Sequence, residues 1–172
     1  MNSQPVEVYL GLGSNLGDRE DNLREALKLL SGRLRSGKVS SVYETEPVGD
    51  ATQPRYLNQV CQFYTTLPPA ALLALLKGFE LKLGRSGPSG ASRPIDIDVI
   101  FYGDQVVRTP ELVIPHPRLT ERAFVLVPLV EIAPDLEHPV SHKKVRKLLD
   151  ELEDKQGVLK VIIPNNQNRF KN

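Results

Sequence analysis

Apolar and polar positions alternate along residues 6–12, and the run ends in Gly11-Leu12-Gly13-Ser14-Asn15-Leu16-Gly17-Asp18, punctuated by glycine as a strand-to-helix turn is. Beyond it Leu23, Ala26, Leu27, Leu30 and Leu34 recur at helical spacing, with acidic residues in the first turn where they favour the helix dipole. A helix is therefore predicted over 18–35. Residues 38–45 and 56–66 read as two further strands, separated by the loop-like Glu46-Pro47-Val48-Gly49-Asp50-Ala51-Thr52-Gln53-Pro54. Pro68 and Pro69 open a second helix, whose core stripe is Leu72, Leu75, Leu76, Phe79 and Leu83 and whose stop signal is Gly84. A Gly/Ser/Pro loop over 85–93, bracketed by Arg85 and Arg93, holds little that can pack and is expected to be mobile. β-Branched and aromatic residues over 95–102 then predict a strand, and Tyr102-Gly103-Asp104-Gln105 a hairpin turn into Val106-Val107-Arg108. An apolar helix follows over 123–132. The last elements are an amphipathic helix over 141–155, around Val145, Leu148, Leu149 and Leu152, and an edge strand over 158–163.

The order β-α-β-β-α-β predicts an α+β fold: a ferredoxin-like split βαβ, with an antiparallel sheet, two helices on one face and C-terminal additions. One domain over 1–163 is expected, with a polar, frayed tail over 164–172. The functional site is expected on or beside the sheet face that the two helices leave uncovered.

Two carboxylates interrupt the strand at 95–102. Strand side chains alternate faces, so Asp96 and Asp98 point one way and Ile95, Ile97 and Val99 the other. Their α-carbons then lie about 6.5–7 Å apart, close enough to repel unless a cation, a base or water separates them. An oxygen-only acidic pair suits magnesium, which takes one or two carboxylates plus waters and phosphates. Solvated acids on an edge strand are the competing reading. Downstream, Pro115-His116-Pro117-Arg118 and Arg122-Ala123-Phe124 place a histidine, two arginines and an aromatic together, and His116 is well placed to donate to a phosphate. Asn58, on a strand face with Tyr56 and Val60, offers a donor and an acceptor to the edge of a heterocycle or to a buried partner.

Composition narrows the class. The chain has 172 residues with 22 basic against 21 acidic, net +1, so no global field recruits nucleic acid or an anionic membrane. No run of 18 apolar residues and no signal-like N-terminus is present. Cys61 has no internal partner and reads as a buried small hydrophobe. These features lead to an expectation of a soluble, cytoplasmic protein, and a monomer is expected. His138 and His142 are expected on the surface.

Taken together, Gly13-Ser14-Asn15-Leu16-Gly17-Asp18, Tyr56-Leu57-Asn58, Gly84-Arg85, Arg93 with Asp96 and Asp98, and the His116 to Phe124 cluster resemble 6-hydroxymethyl-7,8-dihydropterin pyrophosphokinase of folate biosynthesis, over roughly residues 6–135. The resemblance implies transfer of pyrophosphate from ATP to the hydroxymethyl group of a pterin, with release of AMP. It also implies two magnesium ions on Asp96 and Asp98, with Arg85 and Arg93 sharing the catalytic work. Arg85, Arg93, His116 and Arg122 match phosphate-holding positions, and Glu80 and Val99 match residues lining the nucleotide pocket. Thr45, Pro47, Val48, Tyr56, Asn58 and Phe124 match the pterin side, where two aromatics sandwich the ring. Many relatives carry Trp-Gly-Pro before the arginine matching Arg93; here Gly90-Ala91-Ser92 stands there and the chain lacks tryptophan. At this length no fused synthase domain is expected.

Two other classes stay open on residues alone. A nucleotidyltransferase of the G-S and D-x-D type is opposed by the more than eighty residues between Gly13-Ser14 and Asp96-x-Asp98. A ferredoxin-like RNA-binding module is opposed by acids where a basic, aromatic sheet face is wanted.

Overall fold

A computed structural model describes residues 4–45, 52, 54–84, 94–155 and 157–161. Strand β1 (Val6–Ser14) runs two residues beyond the stretch that alternation marks. It can do so because it is hydrogen-bonded on both sides, and ladder pairing carries the strand through glycines that blur the pattern. Helix α1 (Arg19–Ser31) starts at Asp18, whose carboxylate accepts the Asp21 amide at 3.0 Å. It ends at Gly32, short of the expected residue 35. Leu23, Ala26, Leu27 and Leu30 are buried as the stripe requires.

The single strand expected at 38–45 is two strands, β2 (Arg35–Val39) and β3 (Val42–Thr45). Both pair with β4 (Tyr56–Thr65). The break has a side-chain cause. At Ser40 the hydroxyl, instead of a carbonyl, accepts the Val60 amide at 2.9 Å, and the Ser41 amide turns out to the Glu131 carboxylate at 2.7 Å. Helix α2 (Pro69–Lys82) follows, and Gly84 at φ +96 ends that segment in the left-handed region.

Among the described residues strand β5 (Asp96–Tyr102) pairs with β1 alone, and the sheet order is β5-β1-β4-β3-β8, with β2 also on β4. Every pairing is antiparallel. Setting aside the added β8 (Leu159–Val161), this is the fourth-first-third-second order of a ferredoxin-like fold. The α+β expectation therefore holds. The expected hairpin does not. Gln105 donates to the Tyr102 carbonyl in a turn, but β6 (Val107–Arg108) pairs with β7 (Val113–Ile114) instead of returning along β5. Residues 109–112 close that small ribbon through a Thr109 amide bond to the Leu112 carbonyl, a pairing of lower sequence separation than a return to β5. β5 thus stays an edge strand.

One sheet face carries Val8, Leu10, Leu12, Ile97 and Val99 against the buried stripes of α1 and α2. The opposite face is half covered: Tyr9, Val60, Ile100 and Phe101 pack on α3 (Ala123–Ile132) and α4 (Val145–Glu151). Helix α3 continues past Pro128, and α4 is shorter than the predicted 141–155. Residues 138–144 form a turn in which the His142 amide reaches the His138 carbonyl at 2.9 Å, and His142 sits at φ +60. His142 is exposed as expected, whereas His138 is partly buried, edge-on to Phe101 with ring centroids 5.9 Å apart. Cys61 is fully buried, and burial pushes its thiol well above the ordinary range. No helix among the described residues is long and apolar enough to cross a membrane.

Ser40→Ala should cost about 1–3 kcal/mol of stability, because it strands the buried Val60 amide. Urea unfolding within 0.5 kcal/mol of wild type, the ordinary scatter of a neutral surface change, would show that the hydroxyl does not replace a ladder bond.

Candidate functional site

The uncovered half of the second face is floored by β1. In the ladder Gly13 lies opposite Asp96 on one side and Asn58 on the other, while Gly11 lies between Asp98 and Val60. Directly opposed residues share a face. Two cross-strand rows therefore run over the same surface, one from Asp96 over Gly13 to Asn58 and the other from Asp98 over Gly11 to Val60. Glycine leaves the middle of the first row open, while over Gly11 the Ile100 side chain stands 3.3 Å from where a Cβ would be. A Cβ at Gly13 would stand 3.2 Å from Asn58 Oδ1 and 3.5 Å from the Tyr56 ring, so even alanine crowds the floor.

The resulting cleft has a volume of about 640 Å³, within the usual range for small-molecule sites. Its acidic wall is Asp96 and Asp98 on β5, both half-exposed, with Ile97 and Val99 turned into the core as the alternation predicts. Thr45, Tyr56 and Asn58 line the far side, and the Asn58 amide donates to Thr45 Oγ1 at 2.5 Å. That partner is a side-chain hydroxyl, and the bond turns the Asn58 oxygen toward Gly13. His116, Arg122 and Phe124 close the third side from the segment entering α3, with the Arg122 guanidinium 5.4 Å from the Phe124 ring centre. Glu80 and Val99 line the same cleft near α2, Glu80 from an almost fully buried position.

Ten of the fourteen residues singled out from the sequence thus converge on one cavity. Pro47, Val48, Arg85 and Arg93 lie outside the described residues. Sequence reading passed over Gly11 and Gly13 as the floor, although glycines two apart on a strand were the available signal. It also passed over Lys77, one turn before Glu80 on α2, and Glu111 in the β6–β7 ribbon, which line the cleft too. At the pterin-matching end, Arg19 had no sequence signal. Its guanidinium bonds the Arg55 carbonyl at 2.9 Å and Glu44 Oε2 at 3.1 Å, tying the end of β3 to the start of β4.

His116 sits between charges of both signs. Its Nδ1 accepts the Arg118 amide at 3.2 Å, so the ring proton belongs on Nε2, which faces Asp98 Oδ2 at 4.0 Å. Burial first, then Arg122 and Arg118, push the imidazole pKa down to about 4, with Asp96 opposing. The ring is therefore a neutral donor aimed into the cleft, and its 4.0 Å approach to Asp98 is no ion pair at neutral pH. Arg122 is lowered by burial and held up by Asp98, and a guanidinium keeps its charge under such shifts. Among the described residues no three His, Cys, Asp or Glu side chains group into a metal cage. The acidic pair fits a cation that brings its own water and phosphate ligands.

Because a free imidazole takes its proton near pH 6.5 and the folded His116 only near 4, its stability contribution is complete above 6.5 and is lost as pH falls toward 4. Imidazole ¹⁵N shifts of the free protein should show the neutral Nε2–H form from pH 8 to 5. A midpoint near 6.5 would contradict that environment.

Residues 9–134 match the family model described as 7,8-dihydro-6-hydroxymethylpterin-pyrophosphokinase (HPPK). The 2-amino-4-hydroxy-6-hydroxymethyldihydropteridine pyrophosphokinase of Aquifex aeolicus is 41% identical over 149 residues, covering 84% of this chain and 91% of that protein. Its Bacillus subtilis counterpart is 43% identical over 137 residues, 76% of this chain and 80% of that one. The folic acid synthesis protein fol1 of Pneumocystis carinii is 38% identical over 163 residues, 91% of this chain, but the match spans only 21% of that longer protein. Among solved structures, Plasmodium falciparum HPPK-DHPS superposes with a TM-score of 0.68 at 16% identity, over 87% of this chain and 45% of that one. That likeness supports the fold. With the sequence matches and the convergent cleft, it leads to one assignment: the chain belongs to the 7,8-dihydro-6-hydroxymethylpterin-pyrophosphokinase family.

Proposed function

We propose that this chain transfers pyrophosphate from ATP to the hydroxymethyl group of 6-hydroxymethyl-7,8-dihydropterin and releases AMP, a step of folate synthesis, as a cytoplasmic monomer. The observation that carries the reading is the cross-strand row Asp96–Gly13–Asn58. Two strand spacings, about 10 Å, separate the acid from the amide across a glycine floor. A fused ring lying on Gly13 can then present its polar edge to Asn58 and its hydroxymethyl arm to Asp96. Tyr56 and Phe124 flank that space and offer flat apolar surface to the ring. Thr45, bonded to Asn58, fixes which way the amide faces, and Pro47 and Val48 complete the pterin side.

The nucleotide enters from the β5 edge, past Val99. Asp96 and Asp98 would hold two magnesium ions, which when bound neutralise triphosphate charge. His116 donates Nε2–H and Arg122 supplies a fixed cation on the same flank, with Arg85 and Arg93 adding charge from the segment before β5. In the reaction the hydroxymethyl oxygen loses its proton to solvent and bonds to the β-phosphorus as the bond from that phosphorus to the α-bridging oxygen breaks, and AMP carries that oxygen away. Attack and departure are in line, so positioning and charge neutralisation supply most of the catalysis. Asp96, in the same row as the acceptor pocket, accepts a hydrogen bond from the attacking hydroxyl and orients it. Asp98, beside His116 and Arg122, faces the phosphates.

ATP, the pterin and magnesium incubated with the protein should yield AMP and a pterin diphosphate in equal amounts. ADP or free pyrophosphate as the nucleotide-derived product would overturn the reading. Asp98→Ala should lower kcat by at least about 10²-fold while thermal unfolding stays near wild type, since the side chain is exposed. Turnover near wild type would remove Asp98 from the site.

A further inference from the structure

Glu80 is 3% exposed and sits on the core side of α2 beside Leu76 and Phe79, where an apolar residue would pack without the cost of burying a carboxyl. Its Oε2 accepts the Ile97 amide at 3.0 Å. Ile97 is the residue between Asp96 and Asp98, and it lies on an edge strand. In an antiparallel ladder alternate residues turn their backbone groups toward the partner strand. An Ile97 amide bonded to α2 therefore faces away from β1, on the side where no strand lies among the described residues. The Glu80 bond thus replaces a missing strand at one peptide, and that peptide joins Asp96 to Ile97. Three residues further on, the His116 amide caps the same outer edge by donating to the Ile100 carbonyl at 3.0 Å.

The acidic pair needs such a hold. Asp96 and Asp98 flank Ile97 on the strand, so the backbone at that one peptide bears on the spacing and aim of both. The resemblance to the family matches Glu80 with a residue lining the nucleotide pocket, and Glu80 borders the cleft from its buried position.

We propose that Glu80 is a positioning residue: through the Ile97 amide it fixes the edge-strand backbone that sets the spacing and aim of Asp96 and Asp98 toward divalent cations. The inference rests on the reading of those two aspartates as the cation-holding pair. What Glu80 supplies is an acceptor oxygen at the correct reach, with its negative charge secondary. Glutamine can supply that oxygen, while leucine keeps the volume and loses it.

The test uses the full chain with Glu80→Leu and Glu80→Gln. Amide exchange at Ile97 is read by NMR, and Mn²⁺ affinity is read by electron paramagnetic resonance with a non-cleavable ATP analogue present. Glu80→Leu should speed Ile97 exchange while Leu10 and Leu12 on β1 keep theirs, and should weaken Mn²⁺ binding about 10-fold or more, as loss of a ligand-orienting contact does. Glu80→Gln should stay within about 3-fold of wild type on both readouts. Glu80→Gln that weakens Mn²⁺ binding about 10-fold or more would overturn the inference, and this arm decides the matter even if the leucine variant fails to fold. So would Mn²⁺ affinity kept in Glu80→Leu but lost in Asp98→Ala. Wild-type Mn²⁺ affinity that Asp98→Ala leaves unchanged overturns the cation reading itself, and the inference with it.

Discussion

Strand β1 is hydrogen-bonded on both sides and presents glycine at the two positions opposite Asp96 and Asp98. Most of the site depends on that arrangement. Because side chains of a directly opposed pair share a face, any larger residue at 13 would fill the space between the acidic wall and Asn58, and one at 11 would press on Ile100. The pairing also fixes distance: the acidic pair and the amide are two strand spacings apart as long as β1 stays between β4 and β5. Packing secures the floor from below, where Leu10 and Leu12 are buried against α1 and α2. On the other face α3 and α4 cover the sheet only as far as Tyr9, Val60 and Phe101, and the glycine rows begin where that cover ends.

Charge in the cleft is distributed so that each group has a different use. The aspartates are half-exposed on one wall, where the proposed function would seat a solvated cation. His116 is kept neutral by burial and by Arg122, so it offers the cleft a hydrogen-bond donor without adding a positive charge. Arg122 is the fixed positive charge of that flank. A protonated histidine beside the acidic pair would repel a divalent ion, which gives its depressed pKa a physical sense.

The elements most legible in the sequence were those with a strong period. The α1 stripe from Leu23 to Leu30, the α2 positions Leu72, Leu76 and Phe79, and the alternation that turns Asp96 and Asp98 away from the core follow the pattern, whereas the buried Glu80 on α2 does not. Features decided by tertiary partners were not legible. The break between β2 and β3 needs Glu131, ninety residues away, and β6 finds β7 instead of β5. His138 looked like a surface residue because nothing local announces Phe101 as its neighbour. At the site, residues with distinctive chemistry could be named from motif and spacing, whereas Arg19, Lys77 and the glycine floor act through geometry that only the folded sheet supplies.

The most direct measurement is anomalous diffraction from crystals of the protein with Mn²⁺, a non-cleavable ATP analogue and a 6-hydroxymethylpterin. The account predicts two manganese peaks held by Asp96 and Asp98, with the pterin lying over Gly13 and its polar edge at Asn58. Manganese bound elsewhere, or a pterin seated away from that glycine floor, would contradict it.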